Sequence, residues 1–148
     1  RILDWYKKAE GVEQYPIEQD PGVLSVKKIY HYYKQQGIHT QVMGASFRST
    51  AQVLGLAGCD LLTIAPNLLA QLEQDQQTIT AQLSTATAQQ AEKIERAEQT
   101  KASFKAELEQ DLMAFQLLQG GIDGFIKARE QLSRLLRQSF GIDAEIKA

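Results

Sequence analysis

Cysteine, proline and net charge are what this chain has least of. Cys59 is the only cysteine in 148 residues, so an intramolecular disulfide is impossible and a cysteine zinc site is excluded. One free thiol fits a reducing cytoplasm, the compartment expected here. A formal net charge of −2 gives no support for nucleic-acid binding or for docking on an anionic membrane. No apolar run approaches the roughly 20 residues of a membrane helix. His31 and His39 are not spaced as a metal pair, and no calcium-loop, Walker, dinucleotide or nucleophile-elbow pattern occurs. The chain opens at Arg1 rather than at methionine, so a targeting segment can be neither assigned nor dismissed.

What is present suits a modest globular unit. Hydrophobic residues make up 43% and charged residues 23%, enough apolar material for a core. Ile2 to Ala9 reads as a short helix. Gly11 to Gly22, with Pro16 and Pro21, reads as a loop whose acids Glu10, Glu13, Glu18 and Asp20 are solvated. Ser25 is the expected cap of a helix that runs to about Gln36 and stops at Gly37, with Val26, Ile29, Tyr30 and Tyr33 on its buried face. Thr40 to Ala45 is uncharged and ends in small residues, the pattern of a strand buried on both faces. Ser49 caps a second helix, Gly58 ends it, Leu61 to Ala65 forms a second strand and Pro66 opens a third helix. Strands separated by single helices are parallel neighbours.

After Glu73 the composition changes. Residues 74–100 are rich in Gln, Ala and Thr, with Ile79, Leu83 and Ile94 as isolated apolar positions. They read as exposed helix or a mobile connection. Residues 101–148 carry two stronger helical patterns, with a break or kink expected at Gly120–Gly121 and an end near Gly141. The predicted organisation is therefore 1–73, 74–100 and 101–148.

In parallel βα units, ligands gather where strands end and helices begin. Gly44-Ala45-Ser46-Phe47-Arg48-Ser49 lies at such a turn. Small residues let a ligand approach the backbone, the next helix offers N–H groups, and Arg48 brings a planar charged fork suited to phosphate. Ser46 and Ser49 can donate hydroxyl hydrogen bonds. On spacing alone, Arg48 also reads as a surface arginine and Ser49 as a plain helix cap. Asp60 reads as a loop salt-bridge partner, and Cys59 as a small buried hydrophobe.

RILDWYKK from Arg1, DPGVLSVKKIYHYYKQQG from Asp20, VMGASFR from Val42 and LAGCDLLTIAPNLL from Leu56 together resemble transaldolase. SFKAELEQDLMAFQLLQGGIDGF from Ser103 is similar to that family's C-terminal region more loosely, and residues 74–100 depart from its pattern. The resemblance implies a mixed α/β fold: the C-terminal fragment of a (β/α)8 TIM barrel of the class I aldolase kind, with two parallel strands plus C-terminal helices. It implies transfer of a dihydroxyacetone unit from sedoheptulose 7-phosphate to glyceraldehyde 3-phosphate, in the pentose phosphate pathway. A lysine Schiff base acts as the electron sink, acids relay protons through a water, and no metal or other cofactor is used. Sugar phosphates are the implied partners, and a homodimer is the assembly the resemblance suggests.

Residue by residue, Arg48 matches the family's phosphate-binding arginine after the seventh strand and Ser46 a substrate-contacting serine in that loop. Arg1 matches a second phosphate-binding arginine after the sixth strand. The Schiff-base lysine and the acids belong to earlier strands and have no counterpart here. No catalytic residue is therefore expected in these 148 residues, which alone are expected to be inactive. Two strands cannot close a barrel, so poor stability or association through the strand edges is also expected. A different class of reading remains open: a non-catalytic helical interaction module derived from a barrel remnant, suggested by the Gln/Ala-rich stretch and the terminal amphipathic helices.

Overall fold

A computed structural model of the chain describes residues 1–141. Ala148, where the sequence stops, lies outside the described residues. The chain divides into two compact units, Arg1–Glu98 and a second that begins at Gln99.

The first unit opens with α1 (Ile2–Glu10), which Gly11 ends at φ 68°. A 3-10 turn at Ile17–Gln19 leads into α2 (Pro21–Gln35). The cap of α2 differs from the one expected. Asp20 rather than Ser25 starts it, with Oδ1 accepting from the N–H groups of Gly22 (2.8 Å) and Val23 (3.0 Å). Pro21 in the first turn has no N–H to leave unsatisfied, so an Asp-Pro pair makes the stronger start. Asp20 is consequently buried, at 4% exposure, and not part of a solvated acidic loop.

Strands β1 (Met43–Gly44) and β2 (Leu61–Leu62) pair in parallel, Met43 with Leu61 and Gly44 with Leu62. Helix α3 (Thr50–Gly55) connects them and Ser49 caps it, as the sequence predicts. Helix α4 (Pro66–Glu73) opens on its proline. The strands are shorter than their apolar patterns. Regular pairing requires a neighbour, and each has one neighbour among the described residues.

Val23, Tyr30, Val42 and Leu56 form the buried cluster of this unit with Leu83 and Ala88. The last two come from the Gln/Ala-rich stretch, where α5 (Thr85–Gln90) carries Ala88 inward. Gly58 makes that docking possible. At φ 96° it passes so close to Leu83 that a Cβ there would meet the Leu83 carbonyl oxygen and lie 3.0 Å from the carbonyl carbon. The N–H groups of Gln82 and Leu83 both donate to the Ala57 carbonyl, at 2.8 and 3.0 Å.

Asp60 makes the salt bridge expected of it. Its partner is Lys34 at 2.8 Å, and its second oxygen accepts from the Val42 N–H at 2.9 Å. The lysine bond, aided by that N–H, lowers the Asp60 carboxyl below its ordinary 3.8. Cys59 packs against the core partly buried, with Sγ 3.3 Å from the Val42 carbonyl oxygen.

In the second unit, α6 (Lys101–Gln110) is capped by Thr100 and α7 (Leu112–Ser139) by Asp111. The expected break at Gly120–Gly121 does not occur, and the chain turns instead at Asp111. Two glycines weaken a helix by about 1 kcal/mol each. Leu117, Leu118 and Gln119, good helix formers, lead into them, whereas Asp111 offers its carboxylate to the Ala114 N–H at 2.9 Å and starts a new helix. No helix among the described residues is long and apolar enough to cross a membrane.

Candidate functional site

The site is built on the loop between β1 and α3. Ser46 takes φ 63°, the one positive φ at a non-glycine among the described residues, a conformation that costs about 1 kcal/mol. Its carbonyl oxygen lies 3.4 Å from Arg48 Nη1. Beyond it, the Arg48 N–H donates to Gln52 Oε1 at 2.7 Å. Ser49 Oγ accepts from the Gln52 N–H at 3.4 Å. Helix α3 has only six residues and one of its first-turn N–H groups is occupied by this cap, so its dipole adds little to the site.

The Arg48 side chain is half exposed and held at one edge. Nη2 reaches Asp4 Oδ2 at 2.6 Å and Nε reaches Asp4 Oδ1 at 3.3 Å. This fork-on-fork pair is the strongest geometry open to arginine and a carboxylate. The hydrogen bond from Arg48 lowers the Asp4 carboxyl, and Asp4 in turn raises Arg48. The backbone nitrogen of Arg1 lies 3.8 Å from Asp4 Oδ2.

Those arginines face different cavities. Arg1 and Ser46 line a cleft of about 310 Å³ with Met43, Ala45 and Phe47. Arg48 lines a neighbouring one of about 390 Å³ with Lys7, Tyr15 and Ser49. Leu3 and Gln52 border both. Gly44, at the end of β1, is closely packed: a Cβ there would lie 3.0 Å from Leu62 and 3.1 Å from both Leu56 and Phe47.

Three residues of this arrangement escaped sequence reasoning. Asp4 follows Arg1 by one helical turn, but its partner is 44 positions away. Asp20 and Gln52 are joined by a bond of 2.8 Å across 32 positions. The signals were local: an Asp-Pro pair for Asp20, and for Gln52 the Ser-x-x-Gln pattern of a capping box. Lys7 and Lys8 lie on α1, and Lys27, Lys28 and Lys34 on α2.

Parallel neighbouring strands linked by a helix define an α/β protein, a class in which ligands commonly gather at strand ends. Comparison with known proteins narrows this class. The chain belongs to the transaldolase/fructose-6-phosphate aldolase family, whose model matches residues 1–136. It is 48% identical over 137 residues to a transaldolase of Cellvibrio japonicus, an alignment covering 93% of this chain and 42% of that protein. It is 50% identical over 136 residues to a transaldolase of Methylococcus capsulatus, covering 92% and 41%. A transaldolase of Thermosynechococcus vestitus is 49% identical over 138 residues, covering 93% and 35%. The chain thus spans about two fifths of the length of the relatives it matches.

Proposed function

We propose that this chain forms the last βα units of a transaldolase-type (β/α)8 barrel and supplies its phosphate-binding site. The complete enzyme moves a dihydroxyacetone unit from sedoheptulose 7-phosphate to glyceraldehyde 3-phosphate. Arg48 grips the donor phosphate, Ser46 contacts the substrate from the same loop, and Arg1 adds a second cation. The Schiff-base lysine and the acids come from strands outside this chain, so the 148 residues alone turn over no substrate.

One observation carries the reading. The loop after β1 holds a non-glycine residue at φ 63° beside an arginine whose guanidinium is already gripped along one edge by Asp4. The Nη1 side of the fork is left for a dianion, apart from one long bond of 3.4 Å to the Ser46 carbonyl. In the full-length polypeptide, Arg48→Ala is expected to raise KM for a phosphorylated ketose donor about 100-fold, the worth of two charge-assisted bonds. An unchanged KM refutes the phosphate role.

A second reading draws on α7. Phe125 on this helix is 82% exposed, and Leu132 and Leu135 are more than half exposed, a surface suited to a helical interaction module. Full-length protein with normal transfer activity argues against it.

A further inference from the structure

We infer that Gln52, oriented by Asp20, is a positioning residue that sets the backbone of the Ser46–Arg48 loop for anion binding; this rests on the phosphate reading of that loop. Both side chains are buried, Asp20 at 4% and Gln52 at 6% exposure. They form a continuous chain of hydrogen bonds. Asp20 Oδ1 is fixed by two N–H groups at the start of α2. Asp20 Oδ2 accepts from Gln52 Nε2 at 2.8 Å, and Gln52 Oε1 accepts from the Arg48 N–H at 2.7 Å.

The polarity of this chain is forced. An ionised carboxylate only accepts, so the amide must turn its NH₂ toward Asp20 and its oxygen toward Arg48. In an ordinary capping box the side chain at this position would serve the N–H of the cap residue, Ser49. Gln52 serves the N–H one residue earlier, on the peptide that joins Phe47 to Arg48. That peptide follows Ser46 at φ 63°, and a conformation that is unfavourable by itself persists only when its surroundings hold it. The link ties the loop to the 15-residue helix α2, a rigid reference for the arginine.

The bond pattern can be inverted without being lost, and this supplies the test. Gln52→Glu places two carboxylate oxygens face to face. The double variant Asp20→Asn/Gln52→Glu restores a donor between them. The new amide NH₂ at position 20 donates to the new carboxylate at position 52. That carboxylate still accepts from the Arg48 N–H, and the amide oxygen at position 20 still caps α2. Transfer is measured in the full-length polypeptide with a phosphorylated ketose donor and with a phosphate-free one. Gln52→Glu is expected to raise KM about tenfold for the phosphorylated donor only, at unchanged kcat. The double variant is expected to return KM to within about twofold.

Equal effects on both donors, a fall in kcat for both, or no rescue by the double variant overturns the inference. If Gln52→Glu does not fold, Gln52→Met keeps the volume without the polar atoms and carries the same expectation of a donor-specific KM. Arg48→Ala run in parallel separates the two levels of argument. If it leaves KM unmoved, the phosphate reading itself falls. If it raises KM while Gln52→Glu does not, only the positioning role falls.

Discussion

Gly58→Ala probes the join between the βα units and the Gln/Ala-rich stretch. Two costs add at this position. The left-handed φ of 96° disfavours any residue with a Cβ by about 1 kcal/mol. The new methyl would also occupy the position of the Leu83 carbonyl oxygen, and backbone cannot rotate aside as a side chain can. The 82–84 segment must therefore retreat, loosening the two N–H bonds to Ala57 and withdrawing a leucine that is 2% exposed. Losing a buried leucine costs about 2–5 kcal/mol, so the expected total is about 3–6 kcal/mol, a large share of a typical domain's stability. Chemical denaturation of the full-length protein measures the loss. Amide hydrogen exchange at Gln82 and Leu83 locates it. Leu83→Ala sets the scale, and Gly58→Asn, which tolerates the φ but keeps the clash, is expected to remain well below the parent. A Gly58→Ala variant within about 1 kcal/mol of the parent, with protection at Gln82 and Leu83 intact, would refute this account of the join.

Two further expectations concern charge and helix. Because Asp60 titrates below its ordinary 3.8 when folded, its contribution is complete above that value and is lost as pH falls through the lower folded value. Acid denaturation should therefore be shallower in Asp60→Asn, and an identical acid limb would contradict the pairing with Lys34. Lys34 is raised above its ordinary 10.5, so its contribution persists up to that value and fades at higher pH. In α7, nothing lies within 4 Å of a Cβ built at Gly120 or Gly121. Gly120→Ala/Gly121→Ala should stabilise that helix by about 1–2 kcal/mol, read by circular dichroism on heating. A lower melting temperature would mean that the glycines serve a close contact.

The parts of the fold legible in the sequence were those written in adjacent residues. Ser49 and Pro66 mark the starts of α3 and α4 because each acts through its own backbone or an N–H three positions away, whereas α3 ends at Gly55, three residues before the Gly58 stop that the sequence suggests. The start of α2 was misplaced because Ser25 fits a cap as well as Asp20 does until the proline after Asp20 is weighed. Gly120–Gly121 misled because glycine only weakens a helix, whereas Asp111 actively begins one. At the site, the phosphate reading of Arg48 and Ser46 came from their place at a strand end. The partners that hold the loop were out of reach, because Asp4 and Asp20 meet it only after the chain has folded back over 44 and 32 positions. No local pattern records such a meeting.

The way residues 88–97 attach to α2 bears on how this protein can change over time. Gln35 Nε2 donates to the carbonyls of Ala88 and Glu92, and Gln36 Nε2 to that of Ile94. Gln35 Oε1 accepts from the Ile94 N–H, and the Tyr32 hydroxyl from that of Ala97. In each of these bonds the helix contributes a side chain and the stretch contributes main chain. Every amino acid but proline brings the same main-chain groups, so outside buried Ala88 and Gln89, whose side chain reaches the Lys34 carbonyl, the stretch can accumulate substitutions while this fastening endures. The obligation to stay the same falls on Tyr32 and Gln35 of the helix and on Gln36 just past its end, so loose-looking text is fastened by side chains that lie elsewhere in the chain.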